Sequence, residues 1–369
     1  MFVRLPDIED ISAANGSVAR LHKSLYGLRE APKLWHKTLS SFLISIGMQN
    51  ISSSDCVFIR RSEASMAVVL AYVDDIAIFG DRQSVLDVKN SLKEKYEVKD
   101  LGRSNLFLGV TIHEAPGELM LSQRALIGKI LEDTNMINCK PASTPLPLSH
   151  ALYDPLELLS DEEKLQMENV PYRETLGKLL FLSTRTRPDL STAVSMLAKY
   201  ASAARPLHWK SLKHVLRYLK GTMDYVLLIP KCAKSAIIAW CDADWGRDKD
   251  SRRSRSGLLI KSFGCSVIWI SKMQPSVSLS TSEAEFYSLS ECIRNTVWLQ
   301  HFLEDLHVDV TLPTTIFQDN LGSIQWTEDV QGIRNVKHIS IRYKYVKENI
   351  QDGKVRVTFT PSETIWRTP

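Results

Sequence analysis

Residues 66–80 read MAVVLAYVDDIAIFG, so that two apolar runs are separated by the pair Asp74-Asp75. Short apolar runs broken by a polar pair predict a strand, a tight turn and a second strand. A two-residue hairpin turn normally contains glycine, because its backbone needs positive φ angles. Aspartate is common in solvated turns, but its oxygens are also ligands that suit Mg²⁺. This hairpin is therefore either an unfavourable solvated turn or a metal site at a strand end.

The hydrophobic pattern on both sides of this hairpin predicts a mixture of helices and strands. The predicted elements are helices over 32–46, 84–96 and 122–136 and strands over 56–60, 105–113 and 119–121. Ser122 is a suitable N-cap for the third of these helices.

A second pattern begins after a stretch of prolines and acidic residues over 141–163, which predicts a linker. Helical spacing resumes over 172–218, and from residue 237 the apolar period changes to two. The predicted elements there are strands over 237–241, 256–261 and 266–271, a helix over 281–306, a strand over 314–318, a helix over 339–351 and a strand over 354–360. This order indicates an α+β fold whose first three strands form an antiparallel meander.

The composition is that of a soluble globular protein. The chain has 369 residues, 44% hydrophobic and 24% charged residues and a net charge of +4, which suggests two or three domains and argues against wholesale disorder. No apolar run approaches the roughly 18 residues of a membrane span. The first residues lack the apolar core of a signal peptide, so we expect an intracellular protein. The six cysteines form no CxxC pair and suggest neither a zinc site nor a disulfide framework.

Three acidic residues lie where the later elements end or begin. Asp242 ends the first strand of this block, Glu283 opens the long helix and Asp319 ends the fourth strand. Acids in these positions would converge at one edge of the sheet, as a two-Mg²⁺ nuclease requires. Each also has a simpler interpretation, since Ser280 and Glu283 match a capping box and strand-end aspartates are common in turns.

Four motifs, in order, resemble a known family. The segments LYGLREAPKLW over 25–35, YVDD over 72–75, KDLG over 99–102 and LFLGV over 106–110 resemble the reverse transcriptase of copia-type long-terminal-repeat retrotransposons. The resemblance implies a partial palm and thumb fold in which Asp74 and Asp75 are catalytic metal ligands. It also implies nucleic-acid contacts, which are Tyr72 and Val73 at the primer end, Gly27 and Pro32 near the template, and Leu108 and Gly109 in the primer grip. The family's first catalytic motif would lie upstream of this sequence, so we expect no primer extension by this chain.

The last block resembles the ribonuclease H domain of the same polyproteins. The matching segments are CDADWG, SGLL, VIWISKMQ, LSTSEAEFYSL, FQDN and VKHISIRY. The resemblance implies metal ligands at Asp242, Glu283 and Asp319 and a catalytic role for His338. Asp244 and Glu285 are rejected, since the family's positions match the first acid of each pair. The family's fourth carboxylate, beyond the final strand, has no match here, so we expect weak or absent cleavage.

These resemblances imply three domains. They are a copia-type reverse transcriptase over 1–140 that lacks the fingers and first catalytic motif, a linker and helical connection over 141–234, and a ribonuclease H-like domain over 235–369 that is truncated at its C-terminus. On the predicted helix 206–221, Lys210, Lys213 and Arg217 share one face. This face is either solvated or a track for nucleic-acid phosphates.

The expected function is therefore that of a fragment of an RNA-directed DNA polymerase and ribonuclease H. Such an enzyme makes DNA from an RNA template and hydrolyses RNA in RNA–DNA hybrids by two-metal phosphoryl transfer. The expected cofactor is Mg²⁺, with Mn²⁺ as a substitute. The expected partners are an RNA template, a DNA primer, RNA–DNA hybrids, deoxynucleoside triphosphates and other Pol and Gag parts of the element, with no membrane. The resemblance implies a cytoplasmic virus-like particle or the nucleus as location. The alternative is an inactive retrotransposon relic that at most binds a nucleic-acid duplex.

Overall fold

The computed structural model describes residues 2–4, 18–25, 27–147, 152, 159–231, 236–328 and 337–365 of the chain. The chain forms two compact units, Met1–Gly102 and Arg103–Pro369. No helix in the described ranges combines the length and the apolar character that crossing a bilayer requires.

The first unit is built on a four-stranded antiparallel sheet. Its described elements are β1 (Phe2–Arg4), β2 (Val18–Arg20), α1 (Ala31–Ser45), β3 (Gln49–Ile51), β4 (Ser54–Arg61), β5 (Met66–Tyr72), β6 (Asp75–Gly80) and α2 (Arg82–Lys95). Strands β3 to β6 are neighbours in chain order, and β1 pairs with β2. Burial alternates along β5 because successive side chains point to opposite faces of a sheet. The core of this unit joins Leu43 of α1 and Val88 of α2 to Phe58 and Val69 of the sheet.

Gly80 and Asp81 connect the hairpin β5–β6 to α2. Gly80 has a φ of +144°, and a side-chain carbon there would overlap the carbonyl oxygen of Met66, so the position requires glycine. Asp81 caps α2 by accepting the backbone N–H of Ser84 at 3.0 Å, and it also accepts the N–H of Met66 at 2.9 Å. The bond from Ser84 is the main reason that the pKa of Asp81 falls to about 2.

The second unit begins with a small sheet and a group of helices. These elements are β7 (Leu106–Phe107), β8 (Val110–Ala115), β9 (Glu118–Ser122), α3 (Arg124–Asp133), α4 (Asp161–Met167), α5 (Tyr172–Arg185), α6 (Ser191–Ala198), α7 (Pro206–Gly221) and β10 (Leu227–Pro230). The sheet order is β10-β9-β8-β7. Ile127, Leu179, Val194 and Leu216 place α3, α5, α6 and α7 in one apolar core, as expected for helices with one apolar face.

The rest of the second unit is a five-stranded mixed sheet with helices. Its elements are β11 (Ile237–Asp244), β12 (Arg255–Ser262), β13 (Cys265–Met273), α8 (Thr281–Asp305), β14 (Thr314–Gln318), α9 (Leu321–Glu328), α10 (Lys337–Gln351), β15 (Val355–Phe359) and α11 (Ser362–Ile365). The sheet order is β13-β12-β11-β14-β15. The first three strands are antiparallel in sequence, whereas β14 is parallel to both β11 and β15. Ala239 and Ile316 of the sheet pack with Phe286 and Leu289 of α8 in a second core. The predicted α+β class and the antiparallel meander are confirmed.

Several local predictions differ from the structure. The strand predicted over 105–113 is divided by a turn at Leu108 and Gly109, where φ is +48° and +75°. Ser122 ends β9 and is not the N-cap of the next helix, which is Gln123, but its Oγ accepts the backbone N–H of Arg124 at 3.2 Å. The hydrophobic pattern does not predict the short elements α4, α9 and β10, because each has too few residues to show a hydrophobic period. Strand β10 exists through its pairing with β9, a partner more than a hundred residues earlier in the chain.

The domain boundaries predicted after residues 140 and 234 stay predictions. Contacts divide the chain after Gly102, and α3, which lies before residue 140, shares its core with α5 to α7.

Candidate active site

The parallel pairing of β11 and β14 brings two of the predicted acids to one edge of the sheet. Trp240 of β11 lies opposite Phe317 of β14, so Asp242 and Asp319 follow side by side two residues further along each chain. Both are half-buried. Ser362 of α11 donates a hydrogen bond to Asp319 Oδ2 and fixes the orientation of this carboxylate.

The third acid at this edge is Glu285, near the start of α8. Asp242, Glu285 and Asp319 each offer one carboxylate oxygen, and the three oxygens lie within 4.8 Å of one another. No other group of three or more His, Cys, Asp or Glu side chains in the described ranges has ligand atoms this close. Carboxylate oxygens in this arrangement fit a divalent cation such as Mg²⁺. We refer to these three side chains as the acidic cluster.

The structure places Glu285, and not the predicted Glu283, beside Asp242 and Asp319. Residues two positions apart on an α-helix point about 200° apart around its axis, so only one of the two can face the sheet. Glu285 faces the sheet and is 4% exposed. Glu283 instead accepts the backbone N–H of Leu279 at 2.7 Å, while its own N–H donates to Ser280 Oγ at 3.1 Å. Glu283 therefore stabilises the start of α8, which is the alternative that its capping pattern offered.

A buried amide holds the carboxylate of Glu285 in place. Gln318 is fully buried, and its Nε2 donates to Glu285 Oε2 at 3.2 Å and to the Glu285 carbonyl at 3.0 Å. Ser323, which is also fully buried, donates to Gln318 Oε1 at 2.7 Å. If the Gln318 amide were flipped, its oxygen would face the two Glu285 oxygens, which are also acceptors. The orientation of the amide is therefore fixed. Sequence reasoning assigned no role to Gln318 or Ser323.

The acidic cluster is electrostatically unfavourable without a cation. Burial, followed by the nearby charge of Asp242, raises the pKa of Glu285 to about 8. Burial, followed by the charge of Asp319, also raises the pKa of Asp242. Buried carboxylates beside like charges prefer the neutral form. A divalent cation reverses this preference because its charge stabilises the ionised form.

Asp244 lies two residues beyond Asp242 but outside the acidic cluster. Its Oδ1 accepts the backbone N–H of Arg255 at 2.6 Å, and burial raises the pKa of the carboxyl group. Asp242 and Asp244 both line a cavity of about 300 Å³ together with Ser191 at the start of α6 and Trp269 of β13. The acidic edge of the sheet is therefore open to a cavity on this side.

The YVDD segment forms the turn of the hairpin in the first unit, as predicted. Tyr72 pairs with Asp75, and Asp74 is the second residue of the turn. Asp74 and Asp75 are exposed, and Tyr72 and Val73 are about half exposed. Val73 has a φ of +51°, which is unusual for a β-branched residue. Trp35 of α1 donates from its indole Nε1 to the Val73 carbonyl at 2.7 Å and supports this conformation.

The residues predicted to contact template and primer lie on turns and helix ends. Gly27 is exposed with a φ of +86°, and Pro32 is exposed in the first turn of α1. In the second unit, Leu108 and Gly109 form the turn between β7 and β8. Gln123 Nε2 donates to the Gly109 carbonyl at 3.5 Å. Their contacts with nucleic acid stay predictions.

Two of the three cations on the basic face of α7 contact other residues of the chain. Lys210 is exposed, whereas Lys213 is half-buried with its Nζ 5.9 Å from the ring centre of Trp209. Arg217 donates to the Lys140 carbonyl at 2.8 Å. Helix α7 has the bounds that the sequence predicts, but only Lys210 of the three cations is exposed. His338 lies in the first turn of α10, and its side chain falls outside the described residues.

The sequence does contain a signal for Glu285. It precedes Leu289 by four positions and Cys292 by seven, so it lies on the apolar stripe of α8. An acid within an apolar stripe is buried, and a buried acid needs a partner. Glu283 also has helical spacing to the stripe, since it precedes Phe286 by three positions, so the spacing alone does not separate the two glutamates.

The chain is similar to known proteins over most of its length. A family described as reverse transcriptase (RNA-dependent DNA polymerase) matches residues 1–147. The retrovirus-related Pol polyprotein from transposon TNT 1-94 of Nicotiana tabacum is 32% identical over 361 residues, which cover 97% of this chain and 27% of that protein. A transposon Ty5-1 protein of Saccharomyces cerevisiae is 31% identical over 279 residues, which cover 75% of this chain and 89% of that protein. Among solved structures, the LC11 ribonuclease H1 isolated from compost is 19% identical with a TM-score of 0.26, over 36% of this chain and 90% of that chain.

The chain spans about a quarter of the length of the first curated relatives that it matches. The yeast relative, by contrast, is covered over 89% of its own length. Together with the motif order, this similarity places the chain in the family of retrovirus-related Pol polyproteins of transposons, with residues 1–147 matching the reverse transcriptase family.

Proposed function

We propose that the second unit hydrolyses the RNA strand of an RNA–DNA hybrid at the acidic cluster. The observation that carries this proposal is the convergence of Asp242, Glu285 and Asp319 from β11, α8 and the end of β14 within 4.8 Å. Two of the three carboxyl groups, Asp242 and Glu285, have raised pKa values, and their ionisation costs the folded protein stability. A bound divalent cation would offset this loss of stability, because its charge stabilises the ionised carboxylates.

The residues of the chain hold and orient the reacting groups. Cations bound at the acidic cluster would lower the pKa of a water and stabilise the leaving 3′ oxygen of the RNA. Asp242 and Asp319 present their oxygens from adjacent strands, and Ser362 restrains Asp319. Gln318 restrains Glu285 through a bond to one of its oxygens. Fixed carboxylates of this kind need little reorganisation during reaction.

For the first unit we propose the metal-binding role of the family's polymerase, with Asp74 and Asp75 as ligands at the exposed hairpin turn, and we expect no primer extension by this chain. The partners would be an RNA template, a DNA primer and deoxynucleoside triphosphates, with Mg²⁺ or Mn²⁺ as cofactor. Support for this role comes from the match of residues 1–147 to the reverse transcriptase family. Primer extension on an RNA template tests it. Extension that is lost in Asp75→Asn would support the ligand role and overturn the expectation of inactivity, whereas extension that survives Asp75→Asn would contradict the ligand role.

The nuclease proposal is tested by incubating the purified chain with an RNA–DNA hybrid and Mg²⁺ or Mn²⁺. We expect weak cleavage of the RNA strand, reduced at least about a hundredfold in Asp242→Asn and in Glu285→Gln because each change removes a ligand charge. The matched control is Glu283→Gln, which makes the same change two residues away on the same helix. It should retain cleavage, because Glu283 bonds the backbone of Leu279.

Two outcomes would contradict the proposal. Cleavage that survives Asp242→Asn would place the activity elsewhere or in a contaminant. Cleavage that is absent in the unmodified chain would favour the inactive relic, which at most binds a duplex. Loss in Glu283→Gln with retention in Glu285→Gln would reverse the assignment of the third ligand.

A further inference from the structure

The loop between β11 and β12, residues 245–254, carries exposed positive charge beside the acidic cluster. Arg247, Arg252 and Arg253 are all exposed. The loop starts three residues after Asp242, and it ends where the backbone N–H of Arg255 donates to Asp244 at 2.6 Å. We refer to this segment as the β11–β12 loop.

The two acids of the β11–β12 loop pair with one lysine from the helical region. Lys199 directly follows α6, and its Nζ lies 2.6 Å from Asp248 Oδ2 and also bonds the carboxylate of Asp250. The side chains of Lys199, Asp248 and Asp250 are each at least three-quarters buried. Both loop acids therefore face inward toward one lysine, while the arginines face solvent. The outer surface of the loop is cationic as a result.

The β11–β12 loop is held in one conformation. Asp248 Oδ1 accepts the N–H of Ser251 at 2.7 Å, and Arg252 N–H donates to the Asp248 carbonyl at 2.8 Å. Ser254 is fully buried, and its Oγ accepts the N–H of Gly246 at 3.0 Å. Arg252 has a φ of +54°, a left-handed conformation that is strained for a non-glycine residue. Such strain in an exposed arginine is typical of functional positions.

We propose that the β11–β12 loop binds the sugar–phosphate backbone of the duplex that is cleaved at the acidic cluster, and that Lys199 keeps Asp248 and Asp250 from competing with phosphate for the arginines by pairing with both acids. This inference rests on the proposed nuclease function. Arginine suits the task because its planar donors match phosphate oxygens in pairs. Contacts of this kind position a duplex without reading its sequence. They also require that no unpaired acid lies beside the arginines.

The test is hybrid binding in buffer with EDTA, so that no cleavage occurs. A fluorescein-labelled RNA–DNA hybrid is titrated with the full chain at several salt concentrations, and anisotropy gives the dissociation constant. Each lost phosphate contact should reduce the slope of log affinity against log salt by about 0.9. We expect the double variant Arg252→Gln/Arg253→Gln to lower the slope by about 1 to 2 and the affinity by about tenfold. The matched control is Lys344→Gln/Lys347→Gln on α10, which removes the same charge and should change the slope little.

The role of Lys199 has its own test, which separates electrostatics from packing. Lys199→Met should weaken binding by about fivefold, because two unpaired acids then adjoin the arginines. Adding Asp248→Asn and Asp250→Asn to Lys199→Met should restore at least the affinity of the unmodified chain, since no carboxylate then competes for the arginines. A lysine that acted only through packing would show no such recovery.

The outcomes separate this inference from the proposed function. Cleavage with an unchanged salt slope in the double arginine variant would overturn the inference and leave the nuclease proposal intact. Absence of hybrid binding by the unmodified chain, or failure of the triple variant to recover, would also overturn it. Loop-dependent binding without cleavage would support the inference and contradict the nuclease proposal.

Discussion

Replacing Glu285 by glutamine should stabilise the metal-free protein while it weakens cation binding. Glu285 is 4% exposed, and its carboxylate lies beside Asp242 and Asp319. Glutamine has nearly the same shape and still offers an oxygen to Gln318 Nε2, which lies 3.2 Å from Glu285 Oε2. The substitution therefore removes the ionisable group and leaves its packing.

The magnitude follows from the pKa of Glu285. Unfolded glutamate titrates near 4.5, whereas burial and the neighbouring charge raise the pKa of folded Glu285 to about 8. Between these values the folded state holds a proton that the unfolded state has released, so the free energy of unfolding falls as pH rises. One pKa unit corresponds to about 1.4 kcal/mol, so the cost at pH 7 is about 3 kcal/mol. Below the unfolded pKa of 4.5 the cost disappears.

Urea denaturation in EDTA from about pH 4 to about pH 9 measures this effect. Hydrogen exchange of peptides from β11 and α8 assigns the transition to the second unit. We expect Glu285→Gln to be about 3 kcal/mol more stable than the unmodified chain at pH 7 and equally stable near pH 4. Added Mg²⁺ should narrow the difference, because the cation stabilises ionised Glu285 in the unmodified chain only.

Glu283→Gln is the control, with the opposite sign. It removes a negative charge from the first turn of α8, where the helix dipole favours it, and should cost up to about 1 kcal/mol. The reasoning is refuted if Glu285→Gln is less stable than the unmodified chain at pH 7. It is also refuted if the pH-dependent gain appears in Glu283→Gln.

Three further substitutions test the packing around both sites. Gly80→Ala should destabilise the first unit by about 3 kcal/mol in urea denaturation because the new carbon overlaps a backbone oxygen, whereas Gly117→Ala, which meets no atom within 4 Å, should cost about 1 kcal/mol. Trp35→Phe removes the donor to the Val73 carbonyl and should lower stability by about 1 kcal/mol and speed hydrogen exchange in the hairpin; unchanged exchange would show that the bond does not hold the turn. Gln318→Met removes the amide that donates to Glu285 Oε2. It should weaken Mn²⁺ binding by about tenfold in calorimetric titration, and an unaltered affinity would exclude a positioning role for Gln318.

Much of the fold could be predicted from local hydrophobic patterns in the sequence. The alternation in Met66–Gly80 and the apolar stripes of α1, α2 and α8 set the type of each element, because side-chain period depends only on backbone geometry. The helix 206–221 and the strand Thr314–Gln318 have the predicted bounds. Short elements such as β10 could not be predicted, since their stability comes from a distant partner strand and not from their own residues.

The sequence by itself determined the family motifs, the element types and the two strand-end acids Asp242 and Asp319. Only the tertiary structure decided which glutamate joins them, because Glu283 and Glu285 differ by a rotation about the helix axis and not by residue type. The sequence could not predict the pairing of Lys199 with Asp248 and Asp250 either, because about fifty residues of chain separate the partners. Local sequence specifies the period and the chemistry of each element, whereas the relative rotation and register of elements arise from packing, and packing brings charges together.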